Sequence, residues 1–201
     1  KNSFVNEYHW GDFKGDSDEW MRYYFNAFLY HANWGTHQLK LKLSEDLVDF
    51  KLVESYCSNY GLEIENHNGE LILSFSSEDE SGGWEEDWQL STFLPLRTQL
   101  ARGDYRSLYI GWLLSVQNEE YGDEVLEPAV PSGLGQLNEE LTALVDFLRV
   151  DTDLLEAAAL QSPPLEDVPL NRTSAEKWLS TLANEDKEKF LLNCLMEGLR
   201  G

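Results

Sequence analysis

Residues 62–75 read LEIENHNGELILSF, and this stretch decides the fold class. Asn68-Gly69 is the preferred two-residue connection of a β-hairpin, because both residues reach φ > 0 at little cost. The turn sets Asn66 opposite Leu71, Ile64 opposite Leu73 and Leu62 opposite Phe75. That register gathers Leu62, Ile64, Leu71, Leu73 and Phe75 on one face and Glu63, Glu65, Ile72 and Ser74 on the other. Turn chemistry and apolar pattern select the same pairing, so the segment reads as a hairpin with one face on a core.

Working outward, Leu39, Leu41 and Leu43 alternate with Lys40 and Lys42, the pattern of a half-buried strand with its lysines turned to water. Upstream, Trp20, Tyr23, Tyr24, Ala27, Phe28 and His31 recur at three- and four-residue steps. This spacing predicts an aromatic helix, capped by Asp16 or Ser17, that packs on the sheet. Phe4 to Trp10 reads as a short strand, and 46–57 as a short helix. Downstream of the hairpin, SSEDESGG (76–83) is an acidic loop. From Trp84 to Gln117 the pattern is helical, broken at ARGD (101–104), where Gly103 ends one helix and Asp104 caps the next. Residues 119–136 are acidic and rich in Pro and Gly, a linker or long surface loop. Residues 137–160 read as two helices joined near Val150-Asp151, the second capped by an Asp153–Glu156 box. A second Pro-rich linker follows at 161–172, and 174–199 gives two more helices with a Thr173–Glu176 box. The expected architecture is α+β: a small, mainly antiparallel sheet, ferredoxin-like or related, packed by aromatic helices, with a helical C-terminal part. The expected domains are 1–160 (α+β) and 161–201 (a helical extension).

At 201 residues, with 42% hydrophobic and 12% aromatic content, the chain supports a sizeable core. Its net charge of −22 is the dominant global property. No Lys or Arg occurs from Leu52 to Leu96 or from Ser107 to Leu148. Such a chain repels phosphate backbones, which argues against direct nucleic-acid binding. An acidic surface suits solubility, a basic protein partner or mimicry of the charge of DNA. Cys57 and Cys194 lack metal spacing and read as thiols in a reducing cytoplasm. No apolar run has the length of a membrane span, and no signal peptide is visible. The sequence begins at Lys1 without Met, so it reads as a fragment of a longer chain.

The chemistry-bearing residues form a short set. FLYHANWGTHQLKLKL (28–43) carries His31 and His37 on either side of Trp34-Gly35-Thr36, and EYHWGDF (7–13) carries His9 and Asp12. The six-residue spacing of His31 and His37 is wide for a zinc pair, and the segment reads first as a helix-to-strand corner. A ligand site, were the fold to form one, would draw on Trp34, His37, His9 and Asp12. Arg97, Arg102 and Arg106 are the basic cluster of an acidic chain; Arg102 and Arg106 are candidates for clasping an anion or nearby carboxylates. Glu78 to Gln89 departs from the calcium-loop pattern, and Asp151-Thr152-Asp153 fits a helix cap better than a metal-binding pair. There is no G-x-S-x-G, Walker loop, GxGxxG or HExxH, so no catalytic residue, metal ligand or cofactor is assigned.

The stretches SFVNEYHWGDFKGD (3–16), FLYHANWGTHQLKLKL (28–43), LRTQLARGDYRSLYIGWLLSVQ (96–117), VPSGLGQL (130–137) and ALVDFLRVDTDLLEAAA (143–159) resemble a family of uncharacterised bacterial hypothetical proteins. The resemblance runs through most of residues 3–160. It implies bacterial origin and no established activity. It also implies that members begin upstream with a β-α unit, which this chain lacks, leaving a sheet edge exposed. The functional expectation is a cytoplasmic, non-enzymatic interaction module whose acidic surface meets a basic protein, with a homo-oligomer left open. The alternatives are a small-molecule or metal-binding enzyme at the WGTH corner and a DNA-mimicking acidic protein.

Overall fold

A computed structural model describes residues 4–9, 15–32, 36–58, 60–78, 88–118 and 126–165, with backbone alone for 4–9 and 32. All lie in one compact unit, Lys1–Asp167. The helices expected at 174–199, the Thr173–Glu176 box, Cys194, Asp12, Trp34, most of the acidic loop after Glu78 and residues 119–125 fall outside the described residues.

Five strands, β1 (Phe4–His9), β2 (Ala27–Ala32), β3 (Thr36–Ser44), β4 (Gly61–His67) and β5 (Glu70–Glu78), form one sheet in the order β1-β2-β3-β5-β4. β2, β3, β5 and β4 are antiparallel neighbours, and β1 joins β2 in parallel. The hairpin has the register its turn dictates: Asn66 faces Leu71, Ile64 faces Leu73 and Leu62 faces Phe75. Asn68 at φ 54° and Gly69 at φ 82° make the turn. The class is α+β with a mainly antiparallel sheet. The ferredoxin-like arrangement is not established, since β1 lies directly beside β2, whereas the split βαβ of that fold places another strand between them.

The helix expected to run from Asp18 to His31 is two elements. α1 (Ser17–Tyr23) starts at Asp16, whose carboxylate accepts from the Glu19 N–H at 2.9 Å. It ends where the Tyr24 and Phe25 N–H groups both bond the Trp20 carbonyl. β2 then begins at Ala27. Its residues misled the periodicity because Ala27, Phe28, Leu29, Tyr30 and His31 are all buried, so no polar alternation marks the strand. The short helix expected at 46–57 is α2 (Phe50–Ser55), capped by Asp49.

After β5 the chain is helical: α3 (Leu90–Phe93), α4 (Pro95–Ala101), α5 (Arg106–Gln117), α6 (Glu139–Leu148) and α7 (Thr152–Ala159). Gly103 at φ 83° follows the end of α4. Asp104 accepts from the Arg106 N–H at 3.2 Å and caps α5 from just outside it. The cap of α7 is Asp151, not Asp153: the Asp151 carboxylate accepts from the Asp153 N–H at 2.8 Å. The helix starts earlier than the capping-box pattern placed it. α6 ends at Arg149, a left-handed residue at φ 59°. Gln117 clamps this junction, donating to the Arg149 carbonyl and accepting from the Asp151 N–H at 2.7 Å. Residues 126–136 are a pinned surface loop. Tyr56 Oη donates to the Ala129 carbonyl at 2.6 Å, and the Gly133 N–H donates to the Pro163 carbonyl at 2.8 Å.

The main core lies between the sheet and these later helices. Leu29, Leu39, Leu41, Leu73, Phe75 and Leu62 meet Phe93, Leu96, Leu108, Leu113 and Phe147 there. α5 is buried almost throughout, and it crosses β4 at a glycine-to-glycine contact. A Cβ on Gly61, itself at φ 91°, would stand 2.3 Å from the Gly111 carbonyl oxygen, so only glycine admits this approach. The opposite face of the sheet carries α1, with Met21, Phe28, Tyr30 and Ile72 as a second, smaller core.

Candidate functional site

The antiparallel pairing of β2 with β3 places His31 directly opposite His37. The two imidazoles therefore share one face of the sheet, the face covered by the later helices. His37 also pairs with Ser77 of β5, and His31 pairs with Tyr8 of β1. Both histidines are buried, His31 at 6% exposure and His37 at 2%. The Trp88 ring stands edge-on to both, at 5.9 Å from His31 and 5.3 Å from His37 between centroids. Phe147 of α6 lies 5.3 Å from both His37 and Trp88, and Phe93 lies 5.1 Å behind it. Ser77 Oγ donates to the Leu148 carbonyl at 2.9 Å, tying this end of β5 to α6. The result is a histidine pair closed in by aromatic edges, an arrangement that favours fixed packing.

The sequence read this segment as a corner whose histidines need not converge, and the structure brings them together. The missed feature is that FLYH is itself a strand, so HANWGTH joins two antiparallel strands. That reading would have put His31 across from His37 by symmetry about Trp34. Nothing in the local pattern pointed to Trp88 or Phe147, which arrive from distant elements. Of the other candidates, Trp34 and Asp12 lie outside the described residues. His9 pairs with Ala32, one register position away from the His31–His37 row. Among the described residues no group of three or more His, Cys, Asp and Glu is arranged to hold a metal ion.

The arginines part company. Arg106 is buried at 4% exposure and its guanidinium is fully engaged. Nε and Nη2 donate to the two oxygens of Asp104 at 2.9 and 2.7 Å, and Nη1 donates to the carbonyls of Gln136 at 2.8 Å and Gly133 at 3.2 Å. This bidentate pair plus two carbonyls makes Arg106 a strut between the start of α5 and the 126–136 loop. Arg102, the residue ending α4, is exposed. Arg97 Nε donates to the Lys42 carbonyl at 2.8 Å.

The remaining reactive groups are held in their neutral forms. Burial pushes the Cys57 thiol up to about 12, with Glu54 and Glu63 adding to it, and Sγ donates to the Val53 carbonyl. A thiol so raised is a poor nucleophile. Burial likewise raises Tyr56 to about 12 and lifts Tyr105 and Tyr109; Tyr109 Oη also donates to Glu127 at 2.5 Å.

The second face of the sheet adds buried charge to its small apolar core. Lys40 and Lys42, expected in water, are 6% and 7% exposed beneath α1. Lys40 Nζ bonds Asp18, while Lys42 Nζ donates to the Met21 carbonyl at 2.8 Å and pairs with Glu70 at 3.3 Å. Arg22 grips Glu65 with two hydrogen bonds, at 2.5 and 2.9 Å.

No helix among the described residues is long and apolar enough to cross a membrane. No family model, no curated protein and no solved structure matches the chain.

Proposed function

We propose that the protein is a non-enzymatic interaction module that docks a basic protein partner through an acidic surface. The observation that carries this reading is the way the fold sorts its charges. Among the described Lys and Arg residues, Lys51 and Arg102 are the exposed ones, whereas Lys40, Lys42 and Arg106 turn inward. Exposed carboxylates stand on α1 (Asp18, Glu19), before α2 (Glu45, Asp46, Asp49), on β4 (Glu63) and on α6 and α7 (Asp146, Asp153, Glu156). Among the described residues the exposed surface is thus more acidic than their composition alone implies, which favours long-range attraction of a cationic partner. Carboxylates spread over several elements support protein docking over mimicry of DNA, which calls for an array along one elongated face. A cytoplasmic location belongs to this reading and is supported by Cys57, a thiol outside any disulfide.

The convergence of His31 and His37 supports a second reading, a small-molecule site at the WGTH corner. Affinity capture from native lysate at low salt separates the two. The first reading expects recovery of a basic protein that is released as salt rises; repeated recovery of none overturns it. A thermal-shift screen in which a small molecule or metal ion stabilises wild type but not His37→Leu establishes the second.

A further inference from the structure

The interaction reading leaves open where a cation would be held, and one surface carries the chemistry for it. Tyr23 and Tyr24, at the end of α1, are each 62% exposed, in a molecule that buries most of its described aromatic side chains. Their rings stand 6.4 Å apart. Tyr23 meets His67 edge-on at 5.3 Å, so the pair abuts the tip of the β4–β5 hairpin. At that tip His67 pairs with Glu70. The Glu45 N–H donates to the Gly69 carbonyl at 3.0 Å, and the Glu45 carboxylate accepts from Asn66 at 2.5 Å, which fixes Glu45 and the exposed Asp46 beside the same turn. The aromatic pair thus adjoins, through His67, a hairpin tip that carries Glu70 and is bonded to Glu45, next to Asp46.

Resting on the interaction reading, we propose that this surface is the docking point for a Lys/Arg-rich segment of a partner protein. Tyrosine faces attract ammonium and guanidinium groups, and adjacent carboxylates add direct charge pairing. Of the chain's own cations in this region, Arg22 is directed to Glu65 and Lys40 to Asp18, while Lys42 donates to the Met21 carbonyl and shares Glu70 from beneath, which leaves Glu45 and Asp46 without an ion pair to a cation of the chain among the described residues. The parts are preformed, with α1 capped by Asp16 and the hairpin closed by its Asn68-Gly69 turn, so little ordering is needed on binding. A second copy is a poor occupant, because a two-fold contact would set Glu45, Asp46 and Glu70 against themselves.

The test measures fluorescence anisotropy of a labelled Lys/Arg-rich peptide against the full chain, with a Glu-rich peptide as control. Wild type binds the basic peptide, and affinity falls as salt rises. Tyr23→Ala/Tyr24→Ala weakens binding about tenfold while the thermal melt is unchanged, since both side chains are exposed. Glu45→Gln/Asp46→Asn weakens binding and flattens its salt dependence. Equal binding by wild type and both variants overturns this surface but leaves the interaction reading standing. Failure of wild type to bind any basic peptide or protein at low salt overturns both. Self-association that Tyr23→Ala/Tyr24→Ala abolishes assigns the surface to a second copy and overturns the proposal.

Discussion

β3 contributes to two interiors, one apolar and one that mixes apolar side chains with buried charge. Leu39, Leu41 and Leu43 point into the core under α3–α7, where burial of apolar area stabilises the fold without further geometry. Lys40 and Lys42, on the same strand, are almost as deeply buried under α1, but each needs a partner there: Asp18, Glu70 or the Met21 carbonyl. One face tolerates no charge; the other uses charge to orient a short helix. The difference teaches that a Leu-Lys alternation identifies two faces and does not say which of them is wet.

The largest effect comes from exchanging the two chemistries. Leu41→Lys places a cation where no neighbour in the apolar cluster answers it, and a loss of more than about 4 kcal/mol is expected, enough to abolish cooperative urea unfolding. Lys42→Leu is expected to cost less than about 1.5 kcal/mol, because Met21 and Ile72 give it an apolar setting and Glu70 remains half in water. Equal losses from the two substitutions sink the distinction.

The side under α3–α7 also carries groups whose ionisation costs stability in alkali. An unfolded tyrosine ionises near 10.0, whereas Tyr56 keeps its proton up to about 12. Between those values the unfolded state binds fewer protons, so stability falls as pH rises, by on the order of 2–3 kcal/mol for this residue. Tyr105 and Tyr109 act in the same direction, and Cys57 begins earlier, from 9.0. Urea midpoints between about pH 9 and 12 should decline, and Tyr56→Phe should flatten the slope above about pH 10. A Tyr56→Phe profile parallel to wild type sinks this account.

The histidine pair sharpens the comparison at its margin, since it is polar yet sits on the apolar side. As packing residues, His31 and His37 should tolerate Leu at a cost below about 2 kcal/mol, read as a small drop in the urea midpoint. His37→Asp should cost more than His37→Leu, because a carboxylate against Trp88 and Phe147 is buried among ring edges and apolar atoms. Loss of folding in His37→Leu would mean that the imidazole holds a polar contact the core depends on.

The hairpin was legible in sequence because two local signals, the Asn68-Gly69 turn and the Leu/Ile/Phe face, act within fourteen consecutive residues, 62–75. The α6–α7 junction was legible in its position near Val150-Asp151, while its cap is Asp151 rather than Asp153. β2 was not, because burial on both faces erased its alternation, and Trp20 to His31 fitted a helical period by coincidence. That one misreading hid the His31–His37 pairing. The burial of Lys40 and Lys42 depends on where α1 lands, and Trp88 and Phe147 reach the histidines from far along the chain. Long-range placement of this kind leaves no periodic trace.

The Arg22–Glu65 pair should have the smallest effect on stability and the most telling effect on binding. The hydrogen bond to Glu65, more than any other contribution, raises the Arg22 guanidinium above its usual range. Both side chains are about one-third exposed, at 35% and 36%, so water and salt screen the pair and it contributes little to the fold. Arg22→Ala should shift the thermal midpoint slightly at low salt and not at all at high salt. It also removes the cation next to Tyr23 in sequence and leaves Glu65 without its Arg22 partner, two residues from His67 on the same strand. If the tyrosine surface receives a basic segment, Arg22→Ala therefore binds a Lys/Arg-rich peptide more tightly than wild type, while Glu65→Gln binds it no better. General acidity also predicts tighter binding, since Arg22→Ala removes one positive charge from a chain of net charge −22; Arg102→Ala makes the same charge change at the exposed end of α4 and should leave binding unchanged if the tyrosine surface is the contact. Weaker binding by Arg22→Ala would instead make Arg22 part of the contact and reverse the sign assigned to that face.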